Sequence, residues 1–252
     1  MILLAVNALV ALYLLAPVIV VVATSVTTTA YPVFPPRGFT LQWFERFLQT
    51  PEFVGGMRLS ALLAGSATVI ATCIGTAAAI GLARRKRAAL SALFLSPIVF
   101  PAVVLGLALL IFYNRTGMAG TFAGMVAAHV VLITPFVVRI VGASLAEFDD
   151  SVEEAARNLG AGWARVFFQV TLPIIRPGVL AGAVFAFIIS FDELVVTLFL
   201  SGPGLQTLPI RVYTFVQYNS TPVISAISTV LIAAWVVLGV PLYVRFLGVK
   251  HA

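Results

Sequence analysis

Asp192 and Glu193 stand side by side in Phe191-Asp192-Glu193-Leu194, with a long apolar run before them and another after. An ionisable group in such a run is costly unless it is paired or hydrated, which makes both functional candidates. In a low-dielectric route, carboxylates attract a cation by charge complementarity. Successive helical residues point about 100° apart, so both acids face one route only where the helix unwinds. The competing reading is an ion pair with Arg211 or with an arginine of a partner chain. Residue types alone leave both open.

Other reactive groups are sparse. Cys73 is the single cysteine, so it has no internal disulfide partner, and His129 and His251 are not in a cluster that could hold a metal. An enzyme needs a convergent nucleophile, base or ligand set. Asp192, Glu193 and His129 have no such spacing, so no residue is assigned a catalytic role. His129 could relay protons through a membrane, or it could simply bond to a neighbouring helix, which is the plainer reading. The only lysines are Lys86 and Lys250. Neither lies in the G-x-x-x-x-G-K-[ST] loop that cradles nucleotide phosphates, so ATP chemistry must come from another chain.

The surrounding elements are bilayer material. Of 252 residues, 61% are hydrophobic and 10% charged, with a mean hydropathy of +1.11. A soluble domain carries about 25% charged residues. Six apolar runs, about 2–26, 58–83, 88–112, 119–143, 178–200 and 222–247, reach the roughly 20 residues that a spanning helix needs. None shows the alternation of a barrel strand. The expectation is an all-α membrane protein with six transmembrane helices and a single transmembrane domain over 1–252. The first run is read as a retained span, because no basic residue precedes it and it exceeds the 7–15 apolar residues of a signal peptide.

Basic residues orient the chain. With residue 1 inside, the inner segments hold Arg84, Arg85, Lys86, Arg87, Arg139, Arg157, Arg165, Arg176, Arg245 and Lys250. The outer ones hold Arg37, Arg46, Arg58, Arg115 and Arg211. Ten against five places both termini in the cytoplasm of a cell (inner) membrane. The net charge of +6 follows from this bias and calls for no nucleic acid. Arg84 to Arg87 read as a stop signal closing the second span. Counting from Gly178 at about 1.5 Å per residue, Asp192 falls about 21 Å along the fifth span, in the outer half of the bilayer.

The outer segment, about 27–57, opens with proline-rich Tyr31-Pro-Val-Phe-Pro-Pro36. Thr40 is expected to cap a short helix carrying Trp43, Phe44, Phe47 and Leu48, lying flat on the membrane surface. Pro97, Pro101 and Pro135 interrupt the third and fourth spans. Gly120/Gly124 and Gly178/Gly182 are G-x-x-x-G pairs that let helices approach closely.

The polar segment, about 144–177, carries most of the information. Ser151-Val-Glu-Glu154 fits a capping box, and Val152, Ala155, Ala156 and Leu159 form a narrow apolar face. Gly160 can end that helix in the left-handed conformation. Trp163, Val166, Phe167 and Val170 open a second helix that Thr171-Leu-Pro173 is expected to stop. The acids Glu147, Asp149, Asp150, Glu153 and Glu154 suit the helix N-terminal dipole.

Glu154-Ala-Ala156, then Gly160, Val170 and Leu172-Pro173, resembles the EAA loop of ABC importer permeases, with Val170 where isoleucine is commoner. The resemblance covers roughly 55–245 and implies the type I importer permease fold. It implies that the loop is a coupling helix docking into a cleft of a cytoplasmic ABC ATPase dimer, through Glu153, Glu154, Ala155, Ala156, Arg157, Leu159, Gly160, Leu172 and Pro173. The partners implied are that ATPase, a second homologous permease and a periplasmic or extracellular substrate-binding protein, which the loop 201–221 would help to meet. This chain would bind no cofactor or metal, and the ATPase would use ATP and Mg. The stretch 190–215 is similar to the second membrane subunit of spermidine/putrescine transporters, with Phe191, Asp192 and Glu193 on the substrate pathway. Ferric-ion and aminoalkylphosphonate permeases have similar segments. A secondary carrier without an ATPase is the reading from another class, although the inverted repeats or relay carboxylates it would need are not found.

Overall fold

The computed structural model describes residues 2–85 and 88–242. Among them the chain is helix and turn, with no strand. In order come α1 (Ile2–Thr24), α2 (Gln42–Gln49), α3 (Pro51–Arg85), α4 (Ala88–Val99), α5 (Ala102–Thr116) and α6 (Phe122–Ala146). Then follow α7 (Asp150–Asn158), α8 (Trp163–Val166), a π-helical turn (Phe167–Thr171), α9 (Leu172–Asp192), α10 (Val195–Leu200), α11 (Leu208–Tyr218) and α12 (Val223–Leu242). Four helices are long and apolar enough to cross a membrane, or five if the bent pair α4–α5 is one span; Val223–Val237 is a shorter apolar helix. Lys86, Arg87, Arg245, Lys250 and His251 lie outside the described residues.

The chain forms two compact units. The first comprises residues up to Arg58 together with Thr207–Pro241. Its α1 is apolar apart from Asn7 and the terminal Thr24, and Leu3, Leu9 and Leu12 are exposed, as expected for a helix surrounded by lipid. The Thr24 hydroxyl reaches Ser225 Oγ at 3.0 Å, tying α1 to α12. The short helix α2 differs from expectation. Leu41 occupies the N-cap position and makes no side-chain bond, while Thr40 Oγ1 accepts from Gln42 N at 3.2 Å. Trp43 and Phe47 are buried, and Trp43 Nε1 donates to the Thr27 carbonyl at 2.7 Å. Their periodicity therefore marks a protein-packed face, and Leu48 is left exposed.

The second unit, Leu59–Gln206, carries the polar loop and the acidic pair. Its main core joins Ile133, Val137 and Val141 of α6 to Ile175 and Ala186 of α9 and to Ala67, Ala71 and Ala79 of α3. Gly178 and Gly182 permit that contact. A Cβ at Gly178 would overlap Ser144, and one at Gly182 would rest 3.6 Å from Val137. The other pair is not a helix-packing motif. Gly120 lies in a turn at φ 67°, and Gly124 sits in the first turn of α6, over the Met118 carbonyl.

Two expected spans have different boundaries. The run 88–112 breaks at Pro101, and α4 and α5 diverge by 103°. Proline has no N–H for a continuing helix and disfavours helical geometry in the residue before it. The expected fifth span, 178–200, instead begins at Trp163 and ends at Asp192. Thr171-Leu-Pro173 does not stop it: the π-helical turn carries the chain past Pro173, which occupies the first turn of α9. The wider π-helical ring, closed by Leu172 N on the Phe167 carbonyl, is a local adjustment of the kind by which a spanning helix tolerates a proline without an N–H.

Candidate functional site

Asp149 begins the polar loop's helix. Its carboxylate accepts from Ser151 N at 3.0 Å, so the N-cap is two residues before the expected Ser151 and the capping box does not form. Both residue types cap well, and the helix takes the earlier one. Two bonds close its end: Gly160 N donates to Arg157 O at 2.9 Å and Ala161 N to Ala156 O at 3.1 Å. Gly160 has φ 87°, the left-handed elbow expected from sequence. On the outward face Val152, Glu154, Ala155 and Leu159 are exposed, Leu159 at 89%. After the elbow Trp163 stacks on Phe167 with centroids 5.9 Å apart.

Glu153 points the other way and is buried, at 6% exposure. Both of its oxygens accept from Arg84 Nη2 at 2.8 Å. Arg157 donates to Oε2, also at 2.8 Å, and the Thr171 hydroxyl donates to Oε1. One carboxylate thus joins the end of α3, its own helix α7 and the π-helical turn ahead of α9. Sequence reasoning missed this. It read Arg84 as a stop signal and Thr171 as part of a helix terminator.

Burial alone would raise the Glu153 pKa, but the Thr171 hydroxyl and the Arg84 and Arg157 guanidiniums outweigh it and hold the carboxyl below the ordinary glutamate range. The folded value lies below the unfolded one. The stabilisation is therefore complete above the ordinary pKa of about 4.3 and drains away as pH falls through the lowered value. In detergent, Glu153→Gln should melt below the native chain near pH 7, and the gap should close as pH falls through the lowered value. Melting curves offset equally at every pH would refute the electrostatic tie.

The acidic pair sits where the helix unwinds. Asp192 ends α9, and Glu193 is extended at φ −68° and ψ 116°. The Glu193 carboxylate accepts from Val196 N at 2.7 Å, which satisfies the start of α10, whereas the Asp192 side chain is exposed. His129 of α6 buttresses the break. It lies 2.7 Å from Ser190 Oγ through Nδ1 and 2.9 Å from Thr197 Oγ1 through Nε2. Thr197 gives its own proton to the Glu193 carbonyl at 3.0 Å. It therefore accepts from Nε2–H, and Nδ1 accepts from Ser190. His129 is a bonded packing residue, the plainer of its two readings. Ser190 and Thr197 carry no local signal of this role.

Residues 71–247 match the family model described as binding-protein-dependent transport system inner membrane component. The chain belongs to this family. Relatives include the putrescine transport system permease protein of Escherichia coli K12, 33% identical, with 90% of this chain and 84% of that protein covered. The spermidine/putrescine transport system permease protein of Haemophilus influenzae is 30% identical, with coverage of 87% and 86%. A molybdenum transport permease of the same organism is 39% identical over 48% of this chain and 60% of its own.

Among solved structures, a bacterial ABC transporter involved in import of the polysaccharide alginate aligns with TM-score 0.71 at 16% identity, covering 95% of this chain and 93% of that one. An amino acid ABC transporter aligns with TM-score 0.61 at 20% identity, covering 82% and 98%. These two show the fold, that of type I ABC importer permeases. The permease is thus an inner-membrane subunit of an ATP-driven importer, and in this family the ATPase is a separate subunit. That membership sets aside the ATPase-independent carrier.

Proposed function

We propose that this permease imports polyamines such as putrescine and spermidine. One observation carries the cargo assignment: relatives at 33% and 30% identity, matched over most of both chains, are named for those amines. An exposed carboxylate at the end of an apolar helix supports it, because a carboxylate on the route favours a cation. Asp192 is the pathway acid, with Phe191 beside it, and Glu193 serves mainly to start α10.

The whole chain, 1–252, acts as one permease domain of six spans, with α4–α5 counted as one and α12 as the last. Both termini and the loop 144–177 are cytoplasmic, and 27–57 is outside. The outward face formed by exposed Glu154, Ala155 and Leu159, with half-buried Ala156 beside them, docks into a cytoplasmic ATPase dimer. Arg157, Leu172 and Pro173 shape that surface from behind, and Gly160 sets its angle. A second homologous permease and a periplasmic binding protein complete the importer, and the ATPase uses ATP and Mg. Closure of the ATPase dimer draws on the loop, the spans rock, and the amine passes Asp192.

In proteoliposomes holding the complete importer, Asp192→Asn should lower putrescine uptake about tenfold, the effect of losing one charge-assisted hydrogen bond of roughly 1.5 kcal/mol. Normal uptake by the variant would take Asp192 off the route. Failure of the native assembly to move any polyamine would overturn the cargo itself.

A further inference from the structure

The outward side of α7 offers alanines and Leu159 to a partner, but an exposed knob transmits force only if it is fastened to what it moves. The fastening visible in this unit is Glu153. It is the buried side chain of α7, and its carboxylate is shared among three separate elements of the second unit. Arg84 holds both oxygens from the end of α3, 69 positions away in sequence. Arg157 braces one oxygen from a turn further along α7, and Thr171 holds the other from the π-helical turn. The placement of Thr171 adds to the case. A π-helical turn has one residue more per hydrogen-bonded ring than an α-helix and recurs at functional sites. This one lies at the foot of α9, whose far end is the break at Asp192 and Glu193.

We propose that Glu153 is a positioning residue through which displacement of α7 is passed at once to α3 and α9, and is not a docking contact with the ATPase. The proposal rests on the coupling role assigned to this loop above. Arg84 Nη2 spans both oxygens while Arg157 and Thr171 each hold one, and charge-assisted bonds are the strong ones, so the three elements move as one body when α7 is pulled. Without the carboxylate α7 still presents its outward face, but its motion is no longer imposed on the spans. ATP turnover and transport then come apart.

The test separates docking from transmission. In a Cys73→Ser background, a photoreactive maleimide on Leu159→Cys reports docking as cross-linking to the ATPase in the assembled importer. Cross-linking of the chain with native Glu153 establishes the docking reading on its own, and its absence there would sink that reading rather than this one. With docking established, Glu153→Gln and Thr171→Val should keep the cross-link yield. They should lower uptake per ATP hydrolysed roughly fivefold or more, the lower end of a coupling free energy between sites. The exchange Arg84→Glu with Glu153→Arg should recover part of that ratio. Loss of the cross-link in Glu153→Gln would make Glu153 a docking contact and overturn the proposal. So would a native ratio of uptake to hydrolysis in both Glu153→Gln and Thr171→Val.

Discussion

Replacing Gly160 with valine is expected to abolish binding-protein-stimulated ATP hydrolysis and uptake, while the chain still inserts into the membrane. At φ 87° nothing lies within 4 Å of where a Cβ would stand, so the damage is purely conformational. A left-handed conformation costs an L-residue roughly 1–2 kcal/mol, and a β-branched residue is a genuine outlier there. That is too little to unfold the unit but enough to reopen the elbow. The bonds from Gly160 to Arg157 and from Ala161 to Ala156 then break, and the outward face turns away from the ATPase that we propose it meets. Asparagine tolerates the left-handed region, so Gly160→Asn should retain most of the activity. The measurement is ATPase stimulation by loaded binding protein in proteoliposomes. Normal stimulation in Gly160→Val would show that elbow geometry does not present the docking face.

The second large effect falls on assembly. Gly178→Ala should sharply lower the membrane yield and melting temperature of the chain, because its Cβ would collide with Ser144 of α6. Overpacking a close contact costs typically 1–3 kcal/mol, here at the central contact of the second unit's main core. The partner change is specific. Ser144→Gly removes both colliding atoms and leaves the Ile140 carbonyl at 3.7 Å as the nearest neighbour, so the pair Ser144→Gly with Gly178→Ala should recover most of the stability. Gly182→Ala, with its nearest atoms at 3.6 Å, should be tolerated. Equal losses at 178 and 182, or no rescue by Ser144→Gly, would contradict the packing described.

These contrasts mark what local sequence carries. Gly160 was legible because left-handed geometry selects for glycine, and the long apolar helices because lipid demands length, four or five of the six expected runs meeting it among the described residues. Gly178 was legible as a close-packing site, while Gly120 and Gly124 have the same spacing and serve a turn. Glu153 was legible as an acid near a helix start but not as a buried junction, because Arg84 is brought to it by the tertiary fold. Thr171-Leu-Pro173 has the composition of a stop, and only the π-helical turn lets the helix run through. Trp43 and Phe47 advertise an apolar face, but periodicity does not say whether lipid or protein covers it. Pro101 announces a break without its angle.

Length has a further consequence. Trp163–Asp192 is a 30-residue column of about 45 Å, and α3, at 35 residues, runs about 52 Å, against a hydrocarbon layer of about 30 Å. Both helices are therefore longer than a perpendicular crossing requires, and they meet at the Glu153 junction towards one end of each. In the docking proposed above, that surplus length makes a pedestal that would lift α7 clear of the headgroups, so the ATPase could seat on it without displacing phospholipid.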